Sequence, residues 1–457
     1  MYPPNFPIST DLSNRRNSIS PLFNLPVNFT RISVIFLFVI ASVFSLQACQ
    51  DNNFVGSTFI PNTNDVIIDT VTIDQFELVD LNSYTGNLVR FSAGIYDDPL
   101  FGTFTSEAYM MPGLISDTTA LTASQEYYLI LEANDFYGDT TAVASYELRM
   151  VDERWRASLL TPDSELPSTS AQEPVYFSVS ATDDSVEVRL PQEWVDRYID
   201  IFESEDRAER LENEEFGFAI RPLPTEAVNS NGLIVGFLTG SDNARIVVRD
   251  QDIDSGLLDN HDDDGDGDGD GDGDGDGEES DPELRIPLRG WGFNSIVTNE
   301  PADLNDQVIA IRNNFKQALR LDLDFEQFSE ENIIRVEMVF YEDSLALNEN
   351  LPEHNARLST NRLALYLLDE LDTDFLVISN PVFTPERSIN PDRSFRVNIT
   401  NTIKQITLGG ILPGKFYITS QTHNGLLYPY ALVKPGNTNQ PDRAPKIIIT
   451  YVKPEVN

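Results

Sequence analysis

In a chain of 457 residues, 74 aspartates and glutamates face 31 lysines and arginines, for a formal net charge of −43 at pH 7. Nucleic acid is excluded as a partner, because phosphate binding needs clustered cations that release counterions. Hydrophobic residues at 40% and aromatics at 10% suffice for a core, the length suggests two or more domains, and one cysteine leaves no pair for an internal disulfide.

Residues 1–48 read as a leader and signal segment. Met1 to Thr30 is polar and rich in Pro and Asn, with Arg15 and Arg16 in it. Ile32 to Phe44 is almost wholly apolar, with Arg31 before it and Ser45, Gln47 and Ala48 behind, the charged, apolar and cleavable order of a signal peptide. As a helix it would reach only ~20 Å against a hydrocarbon core of ~30 Å, too short to span. Leu46-Gln47-Ala48-Cys49 resembles a bacterial lipoprotein processing site. The resemblance implies cleavage before Cys49 and a diacylglycerol on its thiol, so that the protein is held on a membrane by lipid; the other reading is an ordinary secretory signal with a chance cysteine. Losing residues 1–48 removes three arginines and one aspartate and leaves 28 basic against 73 acidic residues.

Residues 49–65 read as a tether with little to bury. Within it, Asp51-Asn52-Asn53-Phe54 is similar to the short signals that send Bacteroidetes-type lipoproteins to the outside of the outer membrane. That likeness implies a cell-surface address, with a periplasm-facing lipoprotein as the alternative.

The expected fold class is mainly β: two tandem antiparallel β-sandwich, jelly-roll-like domains, the first over residues 66–258. Tyr127 to Leu131, Tyr146 to Met150, Val175 to Val179 and Val186 to Leu190 are short β-branched or aromatic runs broken by Asp, Asn, Ser and Gly. One short amphipathic helix is predicted near residues 191–203, opened by Pro191 and carrying Trp194, Tyr198, Ile201 and Phe202 on one face. Asp98-Pro99 followed by Gly102 reads as a turn that brings two strands together. The stretch Gly94-Ile95-Tyr96-Asp97-Asp98-Pro99-Leu100-Phe101-Gly102, with Tyr137-Gly138-Asp139-Thr140 and Asn231-Gly232-Leu233-Ile234, resembles a signature of a Bacteroidetes lipoprotein family without an established activity. The resemblance implies a lipoprotein and a fold and supplies no catalytic residues.

Residues 259–281 form an acidic Asp-Gly spacer, mobile by composition. Asp268, Asp270 and Asp272 with Glu279 fall at EF-hand spacing around Gly273. A repeat of Asp-Gly meets half of that pattern in many registers and no helices flank it, so the expectation is a solvated spacer with weak, labile calcium association and no required cofactor. Residues 282–457 form the second sandwich. Asn424-Gly425-Leu426 followed by Ala444 to Tyr451 echoes Asn231-Gly232-Leu233 followed by Ala244 to Val248, as two copies of one unit would. Its Ala318-Leu319-Arg320-Leu321-Asp322 run and its last strand resemble carbohydrate-binding β-sandwich modules of the DNRLRE type, which implies glycan as a ligand class.

Chemistry-bearing motifs are few. His354 and His423 have no second histidine at ligand spacing, and no nucleophile elbow, HExxH or phosphate loop is present. Buried packing is the first reading of Trp155, Trp194 and Trp291, and stacking on sugar rings the second. The sequence therefore points to a non-enzymatic, lipid-anchored surface protein of the outer membrane that binds or scaffolds. Its expected partners are the membrane, through the lipid, and a polysaccharide or an outer-membrane protein. The alternatives are a structural subunit of an outer-membrane assembly and, less favoured, a hydrolase.

Overall fold

The computed structural model describes residues 66–80, 83–115, 121–224, 230–250, 284–301, 308–323, 325, 328, 331–358, 360–368, 381–387, 392–409, 415–420 and 424–453. Leu46, Gln47, Ala48, Cys49, the tether, Asp268, Asp270, Asp272, Glu279 and His423 lie outside the described residues.

The fold is mainly β. In chain order the strands are β1 (Val66–Thr72), β2 (Phe76–Asp80), β3 (Arg90–Asp98), β4 (Gly102–Pro112), β5 (Glu126–Asp139), β6 (Val143–Met150), β7 (Val175–Ser180), β8 (Ser185–Arg189), β9 (Phe218–Pro222), β10 (Gly232–Leu238) and β11 (Ala244–Arg249). There follow β12 (Leu284–Thr298), β13 (Val308–Ile311), β14 (Gln317–Leu321), β15 (Asn332–Tyr341), β16 (Asn355–Ala356), β17 (Leu363–Leu368), β18 (Ser394–Asn398), β19 (Lys415–Ser420), β20 (Tyr430–Val433) and β21 (Lys446–Val452). The helices are α1 (Gln192–Glu203), α2 (Arg207–Glu214), α3 (Ser344–Asn348) and α4 (Thr400–Gly409).

Two antiparallel β bodies result. In the first, the pairings close on themselves in the order β12, β11, β5, β10, β3, β4 and back to β12. Closure runs through β5 and β12, which each change partner partway along; β9, β6 and β7 extend the sheet from β4. The predicted helix is α1, with Trp194, Tyr198 and Ile201 buried on one face and Trp194 stacked on Tyr198 one turn on, at 5.0 Å. It is not alone: α2, α3 and α4 are short elements that a single-helix expectation overlooks.

The second body is a sandwich of two four-stranded sheets, β1-β21-β15-β18 and β2-β14-β19-β17. Alternate residues of both, among them Met338, Phe340, Ile449, Leu319, Leu365 and Ile418, face one core.

The tandem boundaries at 66–258 and 282–457 do not follow these bodies. Strands β1 and β2 lie in the second body, paired with β21 and β14. Strand β12, from the later half, pairs with β4 and β11 of the first. The Asp-Gly segment therefore joins two neighbouring strands, with Val248 opposite Leu284, and is not the joint between two domains. The two supposed repeat landmarks share a positive φ, +87° at Gly232 and +98° at Gly425, but differ in setting: Gly232 opens β10, whereas Gly425 lies in a bend outside any strand, so close to the Arg90 carbonyl that a Cβ would stand 1.7 Å from it.

A two-stranded ribbon, β13 with β20, forms the septum between the bodies. Val308, Ala310 and Ala431 face the first core, whereas Ile309, Ile311, Tyr430 and Leu432 face the second. Burying large side chains is worth roughly 1.5–3 kcal/mol each, and a whole domain is stable by only about 5–15 kcal/mol. Parting the bodies at this ribbon would thus consume much of the total, and the two are expected to unfold together.

Candidate functional sites

Two places gather polar and aromatic side chains, and they differ in whether those groups are still available. The first is where the glycine- and tyrosine-rich signature converges. Asp98, 1% exposed, accepts the N–H groups of Leu100 (2.7 Å) and Phe101 (3.1 Å), which makes the turn from β3 to β4. Gly102 follows with φ +99°, and a Cβ there would lie 2.6 Å from the Thr298 carbonyl. The remaining lone pairs of Asp98 take the Tyr137 hydroxyl (2.8 Å) and a two-pronged contact from Arg357 (2.7 and 2.6 Å). Arg357 also lies over the Phe101 ring and donates to the Leu347 carbonyl. Burial, and then the charge of Asp98, raise the Tyr137 phenol well above its ordinary range and keep it a donor.

All three parts of the signature meet here. Gly232 pairs with Tyr96 and Leu233 with Gly138, and a Cβ on Gly138 would stand 2.7 Å from the Tyr96 ring. Arg357 comes from a strap that leaves the second body after β15, forms α3 and β16, and pairs β16 with the end of β5. On this strap His354 is exposed at φ +70°, and its carbonyl receives the N–H and hydroxyl of Thr140. A cavity of about 260 Å³ opens beside the strap, lined by Leu100, Asp343, Leu345, Asn350, Asn437 and Gln440 among others. Its central groups are committed to one another: Asp343 accepts from Asn437 (3.3 Å), Gln440 (2.7 Å) and the Ala346 N–H (3.0 Å).

The second place is a groove of about 380 Å³ on the loop between β6 and β7, lined by Trp155, Arg156, Leu159, Leu160, Glu165 and Pro167 among others. The loop is fixed to the sheet beneath it. Val151 donates to the Gly217 carbonyl (2.9 Å), Thr85 to the Leu160 carbonyl (2.9 Å), and the Asn294 amide to the carbonyls of Thr161 (3.2 Å) and Pro162 (2.7 Å). Gly86 permits this approach, since a Cβ on it would fall 1.7 Å from the Ala157 carbonyl oxygen. Val151, Leu160, Tyr109 and Ala219 pack together under the loop with Trp155 and Phe216 against them. The Trp155 N–H donates to the Phe216 carbonyl (2.8 Å), and its ring meets Tyr109 edge to face at 5.7 Å.

Around the half-buried Trp155 the charged groups divide into engaged and free. Arg154 stands 3.8 Å from Glu212, and Glu153 accepts the Ser168 N–H (3.2 Å), which lowers its carboxyl below the ordinary range. Arg156 and Glu165 are exposed, and neither side chain meets an ion-pair or hydrogen-bond partner among the described residues. Of the other tryptophans, Trp194 is fully buried and donates to Glu215 (3.0 Å), and Trp291 is half-buried and donates to the Leu88 carbonyl (2.6 Å). Sequence reasoning named Trp155 only as one of three and did not single out Arg156, Glu165 or Arg357. Among the described residues no group of three or more His, Cys, Asp or Glu is placed to hold a metal ion, and no helix is long and apolar enough to cross a membrane.

No protein-family model matches the chain, and no curated protein matches it either. Among solved structures it aligns with a protein of Parabacteroides distasonis described as secreted, at 8% identity over 83% of this chain and all of that one, with a TM-score of 0.16. A likeness at that level carries no argument about fold or function.

Proposed function

We propose that the chain is an exported, lipid-anchored binding module of the outer membrane that takes glycan in the groove lined by Trp155, without catalysing a reaction. The observation that carries this reading is the contrast in commitment. The carboxylates of Asp98 and Asp343 are engaged by the groups around them, whereas the Trp155 groove is open and is lined by Arg156 and Glu165, whose side chains meet no protein partner among the described residues, beside an immobilised aromatic. The anchor rests on Leu46-Gln47-Ala48-Cys49 and its context.

Two experiments test it. Cys49→Ser should leave the chain uncleaved and without acyl mass, read by intact mass and detergent partitioning; a Cys49→Ser chain that still begins at residue 49 and carries acyl mass contradicts the anchor. The full chain in detergent, applied to a glycan array, should bind at least one saccharide class and lose it on Trp155→Ala. An array with no bound class, or binding that survives Trp155→Ala, overturns the glycan reading.

A further inference from the structure

We infer that the Trp155 groove selects neutral saccharides, with a sugar ring laid on the indole and its hydroxyls read by Arg156 as donor and Glu165 as acceptor. The inference rests on the glycan reading above and specifies its ligand. Because the indole N–H is spent on Phe216, Trp155 offers a ligand apolar surface alone. Leu159, Leu160 and Pro167 line the same groove and add to that surface. A pyranose matches such a floor with its C–H face and presents hydroxyls at its edge.

The available polar groups set the charge of the ligand. A guanidinium only donates and a carboxylate only accepts, so the pair Arg156 and Glu165 is satisfied by a group that does both, which a hydroxyl does. Their charges cancel. An anionic ligand would face Glu165 and Glu153 on the rim, and would approach a chain of net charge −43. A cationic ligand would face Arg154 and Arg156. A peptide is disfavoured for a different reason. The groove is built from one loop, without a sheet edge to extend, and it carries one aromatic where proline-rich segments dock on aromatic-lined grooves.

The test uses the full chain in detergent against neutral hexasaccharides (cello-, xylo-, manno- and malto-) and acidic oligomers of galacturonate and mannuronate, by calorimetry. At least one neutral probe should bind, with affinity insensitive to salt, and Arg156→Gln and Glu165→Gln should each weaken it about tenfold, the loss of one charged hydrogen bond. Both side chains are exposed, so unfolding does not confound the variants; urea midpoints equal to that of the parent chain check this. Binding of acidic probes alone, abolished by Arg156→Gln and tightened by Glu165→Gln, overturns neutrality and leaves the glycan reading standing. If no saccharide binds but a proline-rich peptide library does, with loss on Trp155→Ala, both this inference and the glycan reading fall.

Discussion

The Asp98 cluster and the Trp155 groove both gather polar and aromatic side chains, and they do opposite things with the same kinds of side chain. At Asp98 a buried carboxylate, a phenol and a guanidinium satisfy one another so fully that the cluster works as a clasp between the bodies. At Trp155 the internal bonds are spent on holding the platform still, and the charged groups at its rim are left over. The lesson is that residue type alone does not tell a closed clasp from an open groove; whether the polar groups are already spent does. A motif dense in Gly, Tyr and Asp, such as residues 94–102, marks a place where backbones approach closely and one carboxylate organises a turn.

The largest effect that would break this comparison comes from the clasp. Arg357→Met leaves the Asp98 carboxylate buried without its partner and should cost about 3–5 kcal/mol in urea unfolding, with much of it recovered when Asp98→Asn is added. A loss under about 1 kcal/mol would mean that the clasp is ornamental. Next comes Gly138→Ala. At φ +117°, with the Tyr96 ring 2.7 Å from the new Cβ, it should destabilise by ~2 kcal/mol and leave saccharide affinity unchanged.

A third effect depends on pH. Glu215 is fully buried under Trp194 and Arg197, and burial raises its carboxyl above the ordinary value of 4.5. A carboxyl whose folded pKa is raised contributes most below its unfolded pKa, and that contribution is lost as pH rises through the folded pKa. The stability of the parent chain relative to Glu215→Gln should therefore fall as pH is raised from below 4.5 toward neutrality, and a flat or rising difference contradicts the assignment. The smallest effect belongs to the acidic segment. Deleting residues 262–277 shortens a connection between paired neighbours, β11 and β12, and should change stability by no more than ~0.6 kcal/mol.

Much of this architecture was legible in the sequence, and the exceptions have physical causes. Residue pattern revealed strands such as β6 and β7, because in each one face lies on a core and the other turns toward water or polar neighbours. It missed β13 and β20, which are buried on both faces, so Val308-Ile309-Ala310-Ile311 shows no period of two. Sequence order suggested tandem domains because nothing local in Val66–Thr72 announces that its partner is Lys446–Val452, at the other end of the chain. The turn at Asp98-Pro99 was readable from its own residues. Its partner Arg357 was not, since 259 positions separate them. Trp155 was visible as a large aromatic, but three tryptophans look alike in sequence and only packing separates the one lining a groove from the one on the buried face of α1. Arg156 and Glu165 gave no signal at all, being ordinary charges in a chain full of them.

The central claim, that ligand is met at Trp155 and not at the clasp, is tested most directly by the indole N–H resonances of the three tryptophans. The resonance missing from the Trp155→Phe spectrum should shift when the neutral hexasaccharide panel is titrated into the full chain, with those of Trp194 and Trp291 unmoved. A spectrum in which Trp155 stays still throughout, or in which Trp194 or Trp291 moves instead, contradicts the account.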